Sequence, residues 1–479
     1  MTYESLQSRP IDAKAGVVET RRDLLTGEAL GVVAVGGAAE AARAVDRAHT
    51  AFMRGLPADV RSQILSRAAS LLEESADELA TLIRREVGKP ATAAATEVAR
   101  AVTTTRYAAE EARRLPGERV PLEATAAGAG VLAVTVPEPR GVVAAITPFN
   151  FPVNLVMHKV APALAAGCPV VLKPSEKAPL TSLRIAELLA EAGLPEGWLE
   201  VVHGHPEPIV DAWCDDDRVA VLTFTGSAKV GWSLKARSPR KIHILELGST
   251  SAMYVSRDAD LDLARRDAVQ AGFAYAGQAC ISLQRLYVDD VIADEFLALL
   301  APDVSGVRAG DPAAPEVVVG PLITDAAAER VSTWIGEARD RGATILAGGD
   351  REGPLVSPTL VLGAQADDKL MCEEVFGPVI SAARVSGVDE AIERINDSRF
   401  GLNTSIYTRD LAASLRFAEQ VRSGTVLVNM PPSFRADHMP YGGIGDSGQG
   451  REGVRYTIAE MVDMKLVLLN PGGAWEEKQ

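Results

Sequence analysis

Three residues and one glycine-containing turn could carry chemistry, and Cys280 comes first. It sits in Ala-Gly-Gln-Ala-Cys-Ile-Ser (276–282), where the small and polar neighbours Gly277 and Gln278 would let a ligand approach a nucleophilic sulfur. Taken alone, a cysteine is more often a buried small hydrophobe. The other three are poorer nucleophiles. Cys372 precedes Glu373 and Glu374, whose charge would raise its thiol pKa, Cys168 lies in an apolar run, and Cys214 is followed by three aspartates. Glu246, in His-Ile-Leu-Glu-Leu-Gly (243–248), is a carboxylate inside a strand-like apolar run. Such a group is costly unless paired or functional, and burial would lift its pKa toward that of a general base. A structural ion pair explains it equally well. Asn150, in Ile-Thr-Pro-Phe-Asn-Phe-Pro (146–152), follows a strand-like run. A loop asparagine commonly forms a turn, but its amide also suits an oxyanion. Finally, Phe-Thr-Gly-Ser-Ala-Lys-Val-Gly (224–231) places glycine between a strand and a helix start, where free N–H groups can receive a phosphate.

These residues need elements to position them. Apolar spacing of three and four predicts helices over 38–51, 60–87 and 91–114, the last stopping before Leu-Pro-Gly. A strand is expected over 130–136. Short unalternated apolar runs then alternate with helices: strands at 142–146, 169–172, 199–203 and 219–224, helices at 155–166 and 180–192, and a connecting segment after 203. Such repetition implies parallel strands covered on both faces, a doubly wound α/β nucleotide-binding domain with ligands at the strands' C-terminal ends. From about residue 249 a second α/β region is expected, with helices over 261–276, 326–340 and 389–396 and strands at 285–289 and 425–429. The apolar tail 461–469 reads as a strand needing a partner, either the segment near 130–136 or a neighbouring subunit.

Composition narrows the classes. A chain of 479 residues exceeds one ordinary core, and 47% hydrophobic with 24% charged residues is globular. A formal net charge of −15 disfavours nucleic acid, which needs concentrated cations. The polar segment Met1–Ser8 lacks the apolar core of a signal peptide, and no apolar run is long enough to span a membrane. Four scattered cysteines fit neither a metal site nor a disulfide framework, so a reduced cytoplasmic setting without structural zinc is expected.

Together the motifs carry a resemblance over essentially the whole chain. Thr-Pro-Phe-Asn-Phe-Pro (147–152), Lys-Pro-Ser-Glu (173–176), Phe-Thr-Gly-Ser (224–227), Glu-Leu-Gly (246–248) and Gly-Gln-x-Cys (277–280) come in order. Glu-Glu-Val-Phe-Gly-Pro (373–378), Pro-Tyr-Gly-Gly (440–443) and Ser-Gly-x-Gly-Arg-Glu (447–452) complete the set. In this order they resemble the aldehyde dehydrogenase superfamily. The resemblance implies a Rossmann-like NAD(P)-binding domain (1–120 and 141–248), an α/β catalytic domain (249–440) and a small β oligomerisation element (121–140 and 457–479). That element would pair between subunits of a homodimer or homotetramer.

By the same resemblance, Cys280 attacks an aldehyde to give a thiohemiacetal and then a thioester. Asn150 and the Cys280 N–H hold the oxyanion, and Glu246 activates the hydrolytic water. Lys159 matches a lysine of a proton relay, with an ion pair beneath the site as the plainer role. The cofactor would meet Thr147, Pro148, Lys173, Glu176, Gly226, Ser227, Leu247, Glu374 and Phe376. A carboxylate at Glu176 beside the ribose would favour NAD over NADP. Two departures stand out: Ser249 replaces the second glycine of Glu-Leu-Gly-Gly, and Gly445-Asp446 stands where a lysine-containing pair is common.

The segments 277–285 and 434–443 are similar to the branch containing lactaldehyde, phosphonoacetaldehyde and non-phosphorylating glyceraldehyde-3-phosphate dehydrogenases. That implies a small polar or anionic aldehyde. His158 and Arg106 are expected to approach it, with Arg435 and His438 from a substrate-anchoring loop, whereas a packed histidine and a solvated arginine are the plainer readings. Ala279 stands where phosphate-handling relatives carry arginine, and Arg285 reads as structural. Two rivals remain. A CoA-acylating enzyme would commonly lack the base that Glu246 supplies, and a silent binding protein would have lost Cys280, Glu246 or Asn150.

Overall fold

The computed structural model describes residues 17–470. The expectations for Met1–Ser8 and for 471–479 of the tail therefore lie outside the described residues.

The strand Val142–Ile146 is buried at all five positions. Val143 and Ala145 face one apolar core, and Val142, Ala144 and Ile146 face another. The period-two pleat thus sends alternate side chains to opposite layers, and this is why the run does not alternate in polarity. On one face lie helices Ala91–Glu111 and Asn154–Ala166, and on the other Ala38–Arg54 and Pro206–Asp215. The sheet has six strands in the order 448–449, 242–246, 219–225, 142–146, 170–173, 199–201. All neighbours are parallel except the first pair, in which Gly448 faces Glu246. From 142–146 the chain winds outward through 170–173 to 199–201, then returns to 219–225 on the other side. The order reverses between 142–146 and 219–225, and the loops leaving their C-terminal ends carry Asn150 and Ser227.

A second sheet has seven strands in the order 344–347, 359–362, 379–385, 285–289, 252–255, 403–407, 425–428, with only 344–347 antiparallel. Helix Leu261–Phe273, capped by the Asp260 carboxylate accepting from the Leu263 N–H, delivers the chain to the cysteine loop. There Tyr275, Ala276 and Gly277 have φ of 52°, 55° and 68° in succession. Two non-glycine residues in this region cost of order 1–3 kcal/mol each and persist only where packing enforces them. At Gly277 a Cβ would lie 2.1 Å from the Gly377 carbonyl oxygen. This left-handed run ends the expected helix 261–276 at Phe273.

Other expectations need correction. The helix read over 60–87 is two, Ala58–Glu74 and Ala76–Val87, broken at Ser75, where Asp77 and Glu78 supply the negative first turn of a new helix. The connecting segment after 203 contains helix Pro206–Asp215, started by proline at its first position. A hairpin of Val18–Arg22 and Ala29–Ala34 was not foreseen. The tail strand Val462–Leu469 pairs antiparallel with Leu132–Pro139 of the same chain, Lys465 opposite Val136, the first of the two partners expected for it.

Candidate active site

The two sheets meet where Cys280, Asn150 and Glu246 converge. Cys280 is half-buried, and its Sγ lies 3.1 Å from the Tyr441 hydroxyl. Burial pushes its thiol up to about 11, against the hydrogen bond from Tyr441 and the positive charge of Arg435. Asn150 donates from Nδ2 to the Gln278 carbonyl at 2.8 Å, which ties it to a residue two positions before the cysteine, and its Oδ1 has no partner. Only one Nδ2 hydrogen is so engaged.

The Asn150 turn is held from below. Lys89 Nζ donates to the Asn150 carbonyl at 2.8 Å and to Glu97 at 2.6 Å, and lies 3.4 Å from the Phe151 ring centroid. The other Glu97 oxygen accepts from Val153 and Asn154 N–H at 2.8 and 3.1 Å, at the start of the following helix. This buried pair satisfies three backbone groups that the tight turn would otherwise orphan, the Asn150 carbonyl and the Val153 and Asn154 N–H.

Glu246 ends its strand 3% exposed, and neither carboxylate oxygen has a hydrogen-bond partner. Burial, and then the negative charge of Glu452, raises it well above the usual carboxylate range. Glu452 goes the other way. Burial alone would raise it, but Lys159 at 2.7 Å and Arg435 at 3.0 Å hold it well below the usual carboxylate range. The two carboxylates are thus driven apart: Glu452 keeps its charge in ion pairs, and Glu246 is the one left to take up a proton. Lys159 also donates to Thr223 at 3.1 Å.

A cavity of about 330 Å³ opens along the C-terminal ends of the first sheet, lined among others by Ser227, Trp232, Gly248, Glu374 and Arg399. Ser227 caps helix Ala228–Arg237 without a side-chain hydrogen bond, leaving N-terminal amides for an anion. Gly226 hydrogen-bonds to the Glu246 carbonyl and Leu247 to the Ser447 carbonyl, which fixes the floor. Glu374 accepts from the Ser249 N–H at 3.1 Å, and a Cβ on Gly248 would lie 2.7 Å from its carboxylate. Burial lifts Glu374 to about 7, against that hydrogen bond and Arg330. Lys173 pairs with Glu176 at 2.5 Å. Thr147 is buried with its hydroxyl unpartnered, Pro148 follows it, and Phe376, at φ 46°, meets Phe149 edge-on at 6.0 Å. A cleft with carboxylates, a lysine and an open helix N-terminus fits a dinucleotide.

The four residues expected around the substrate divide. Arg435 reaches the site: its guanidinium stacks 3.8 Å over the Tyr441 ring, and its buried Nε has no partner. His158 is fully buried, 2.9 Å from Asp437, with the other ring nitrogen 3.4 Å from Arg435. Burial, aided by Arg435, lowers it to about 4, so it is neutral and braces the arginine rather than offering charge. His438 is exposed and packs on Tyr107 at 4.9 Å. Arg106 does not approach: it points outward, 53% exposed, and pairs with Glu73 at 2.6 Å. Arg100 on the same helix is the one turned inward, at 2.7 Å from Asp437. Tyr441, Glu452, Asp437, Arg100 and the Lys89–Glu97 pair had no role assigned from sequence. Charged residues at apolar helix positions, such as Glu97, were the available signal.

Comparison with known proteins gives one answer. The model of the aldehyde dehydrogenase family matches residues 12–467. The 3-sulfolactaldehyde dehydrogenase of Priestia aryabhattai is 41% identical over 428 residues, covering 89% of this chain and 90% of that protein. The crystal structure of aldehyde dehydrogenase 21 from Physcomitrella patens, in complex with the reaction product succinate, superposes with a TM-score of 0.93 at 34% identity, over 96% of each chain. Glyceraldehyde-3-phosphate dehydrogenase from Methanocaldococcus jannaschii, complexed with NADP, gives 0.90 at 35% identity, over 94% of this chain and 99% of that one.

Proposed function

The chain belongs to the aldehyde dehydrogenase family and is an NAD(P)-dependent oxidoreductase, and from that premise we propose that it oxidises a small polar or anionic aldehyde to its carboxylic acid. Cys280 is the nucleophile: its sulfur bonds to the carbonyl carbon, and the C=O π pair moves onto oxygen. The free Nδ2 hydrogen of Asn150 and the Cys280 N–H receive that charge. When bound, the nicotinamide supplies the two-electron acceptor that turns the thiohemiacetal into a thioester. Glu246 then takes a proton from the water that cleaves the thioester, releasing the acid and returning the thiol.

The observation that carries this reading is Glu246 itself, buried with both oxygens unpartnered beside a nucleophile. A structural ion pair would have filled those positions, as Glu452 does. Lys159, fully buried and bonded to Glu452 and Thr223, is the relay for a proton leaving that pocket. Lys173 and Glu176 hold the adenosine ribose, Ser227 the pyrophosphate and Glu374 the nicotinamide ribose. Glu176 repels a 2′-phosphate, so NAD is the preferred cofactor. For the substrate, the unpartnered Nε of Arg435 offers a cationic donor near Cys280, and the relatives named above handle sulfonated, carboxylated and phosphorylated aldehydes or products.

The enzyme works as a homodimer or homotetramer in the cytoplasm. Leu132, Val136, Met464, Leu466, Leu468 and Leu469 leave both faces of the small three-stranded sheet apolar and exposed, more than a monomer usually tolerates. The four free thiols suit a reducing compartment, and no helix of the described residues is long and apolar enough to cross a membrane. The test is reduced-nicotinamide formation with NAD or NADP across lactaldehyde, glycolaldehyde, succinic semialdehyde, sulfonated and phosphorylated aldehydes and a plain alkyl aldehyde. Anionic or hydroxylated aldehydes should lead, and Cys280→Ala should be silent. A best rate with the alkyl aldehyde would contradict the substrate class.

A further inference from the structure

Tyr441 is the one polar side chain recorded in hydrogen-bond contact with the nucleophilic sulfur among the described residues, at 3.1 Å, yet the chemistry above does not use it. It lies 161 residues further along the chain and is 1% exposed, so its hydroxyl has little solvent to turn to. The Arg435 guanidinium, 3.8 Å over the ring, orients the phenol from its other side. Arg435 is in turn fixed by Glu452 at 3.0 Å and by His158. The ring is therefore clamped, and its hydroxyl is aimed at sulfur by packing.

We propose that Tyr441 is a further catalytic residue, whose hydroxyl donates a hydrogen bond to the Cys280 thiolate and so sets the pH range in which the nucleophile is available. The proposal rests on Cys280 being the nucleophile. No proton is transferred to or from tyrosine: the phenol stays neutral and donates to the sulfur, and the donation weakens as the sulfur's electron pair enters the new C–S bond.

The need for such a donor follows from what faces the sulfur. Glu246 and Glu374 oppose ionisation, as does burial, while Arg435 and Tyr441 favour it. Glu246, Arg435 and Cys280 are also the groups that face Tyr441. A donated bond makes the thiolate both more abundant and less nucleophilic, and magnitude decides which effect wins. Lowering a thiol's pKa by one unit raises the thiolate fraction tenfold below the pKa. It costs roughly threefold in intrinsic reactivity, given a Brønsted slope of about 0.4–0.5. The bond is therefore a net gain of about threefold per unit below the pKa, and a net loss above it.

The test is the pH profile of Cys280 alkylation by iodoacetamide, read by mass spectrometry of the Cys280 peptide, in the wild type and Tyr441→Phe. It needs neither aldehyde nor cofactor, so it can succeed or fail independently of the proposed substrate. The variant removes one oxygen and keeps the ring under Arg435. We expect its midpoint to rise by about one pH unit, with alkylation slower by about threefold below the midpoint and faster by a similar factor on the alkaline plateau. This crossing of the two profiles is something a loosened structure would not produce. An unchanged or lowered midpoint, a uniform slowing at all pH, or a Cys280 that takes no label at any pH would overturn the proposal. Should Tyr441→Phe fail to fold, wild-type chain grown on fluorotyrosine, whose hydroxyl is a stronger donor, must show a lower midpoint. A midpoint that stays in place there would overturn it equally.

Discussion

Glu452 takes two of the cations that stand around Glu246, Lys159 and Arg435. Lys159 binds it at 2.7 Å and Arg435 at 3.0 Å, and Glu246 is left with no hydrogen-bond partner. The negative charge thus settles on Glu452, and Glu246 is held well above the usual carboxylate range, where it can take up a proton. Substituting Glu452→Gln should remove the repelling charge and free both cations to act on Glu246, lowering its pKa. The acid limb of kcat against pH should therefore move to lower pH, checked by steady-state rates with saturating substrate. A limb that stays in place, or moves up, would separate Glu452 from the base.

His158 makes stability depend on pH in a defined window. Its folded pKa is depressed to about 4 from the ordinary 6.5. The neutral ring therefore contributes stability that is fully present above 6.5 and is lost as pH falls through 6.5 toward 4, because the unfolded chain takes up a proton that the folded one refuses. The loss approaches about 3 kcal/mol. Urea unfolding of the wild type should show this decline between pH 6.5 and 4.5, and His158→Gln should flatten it.

Glu176 should govern cofactor choice. With Glu176→Gln the carboxylate near the ribose is gone and Lys173, now unpaired, can meet a 2′-phosphate. The ratio of kcat/KM for NADP over NAD should rise by about tenfold, on the order of 1.4 kcal/mol. An unchanged ratio would place the ribose elsewhere.

Lys89 and Glu97 are both almost fully buried. Lys89→Met leaves Glu97 charged and unpaired under the Asn150 turn, and should cost about 3–5 kcal/mol in urea unfolding. Glu97→Gln in the same background should restore part of that loss. If Lys89→Met costs under about 1 kcal/mol, the pair does not hold the turn.

What could be read from sequence follows from how local each feature is. Val142–Ile146 was legible because a strand covered on both faces shows as an unbroken apolar run. Cys280, Glu246 and Asn150 were legible because each lies in a distinctive short motif. The break at Ser75 was not, because residues on both sides keep the helical spacing. Pro206–Asp215 was missed because its proline and aspartates also spell a turn. Choosing Arg106 over Arg100 required knowing which side of their helix faces inward: six residues apart, they point about 120° away from one another. Tyr441 beside Cys280, and Glu452 beside Lys159, join distant parts of the chain, and no spacing rule reaches that far.

The most direct test of the central claim is to trap the intermediate. Glu246→Gln, mixed with NAD and the best aldehyde, should release about one reduced nicotinamide per site in a burst and then slow by about 10²–10⁴-fold relative to wild type. Mass spectrometry of the quenched protein should find the acyl group on the Cys280 peptide. Continued turnover without a burst, or an acyl group on any other residue, would contradict the account.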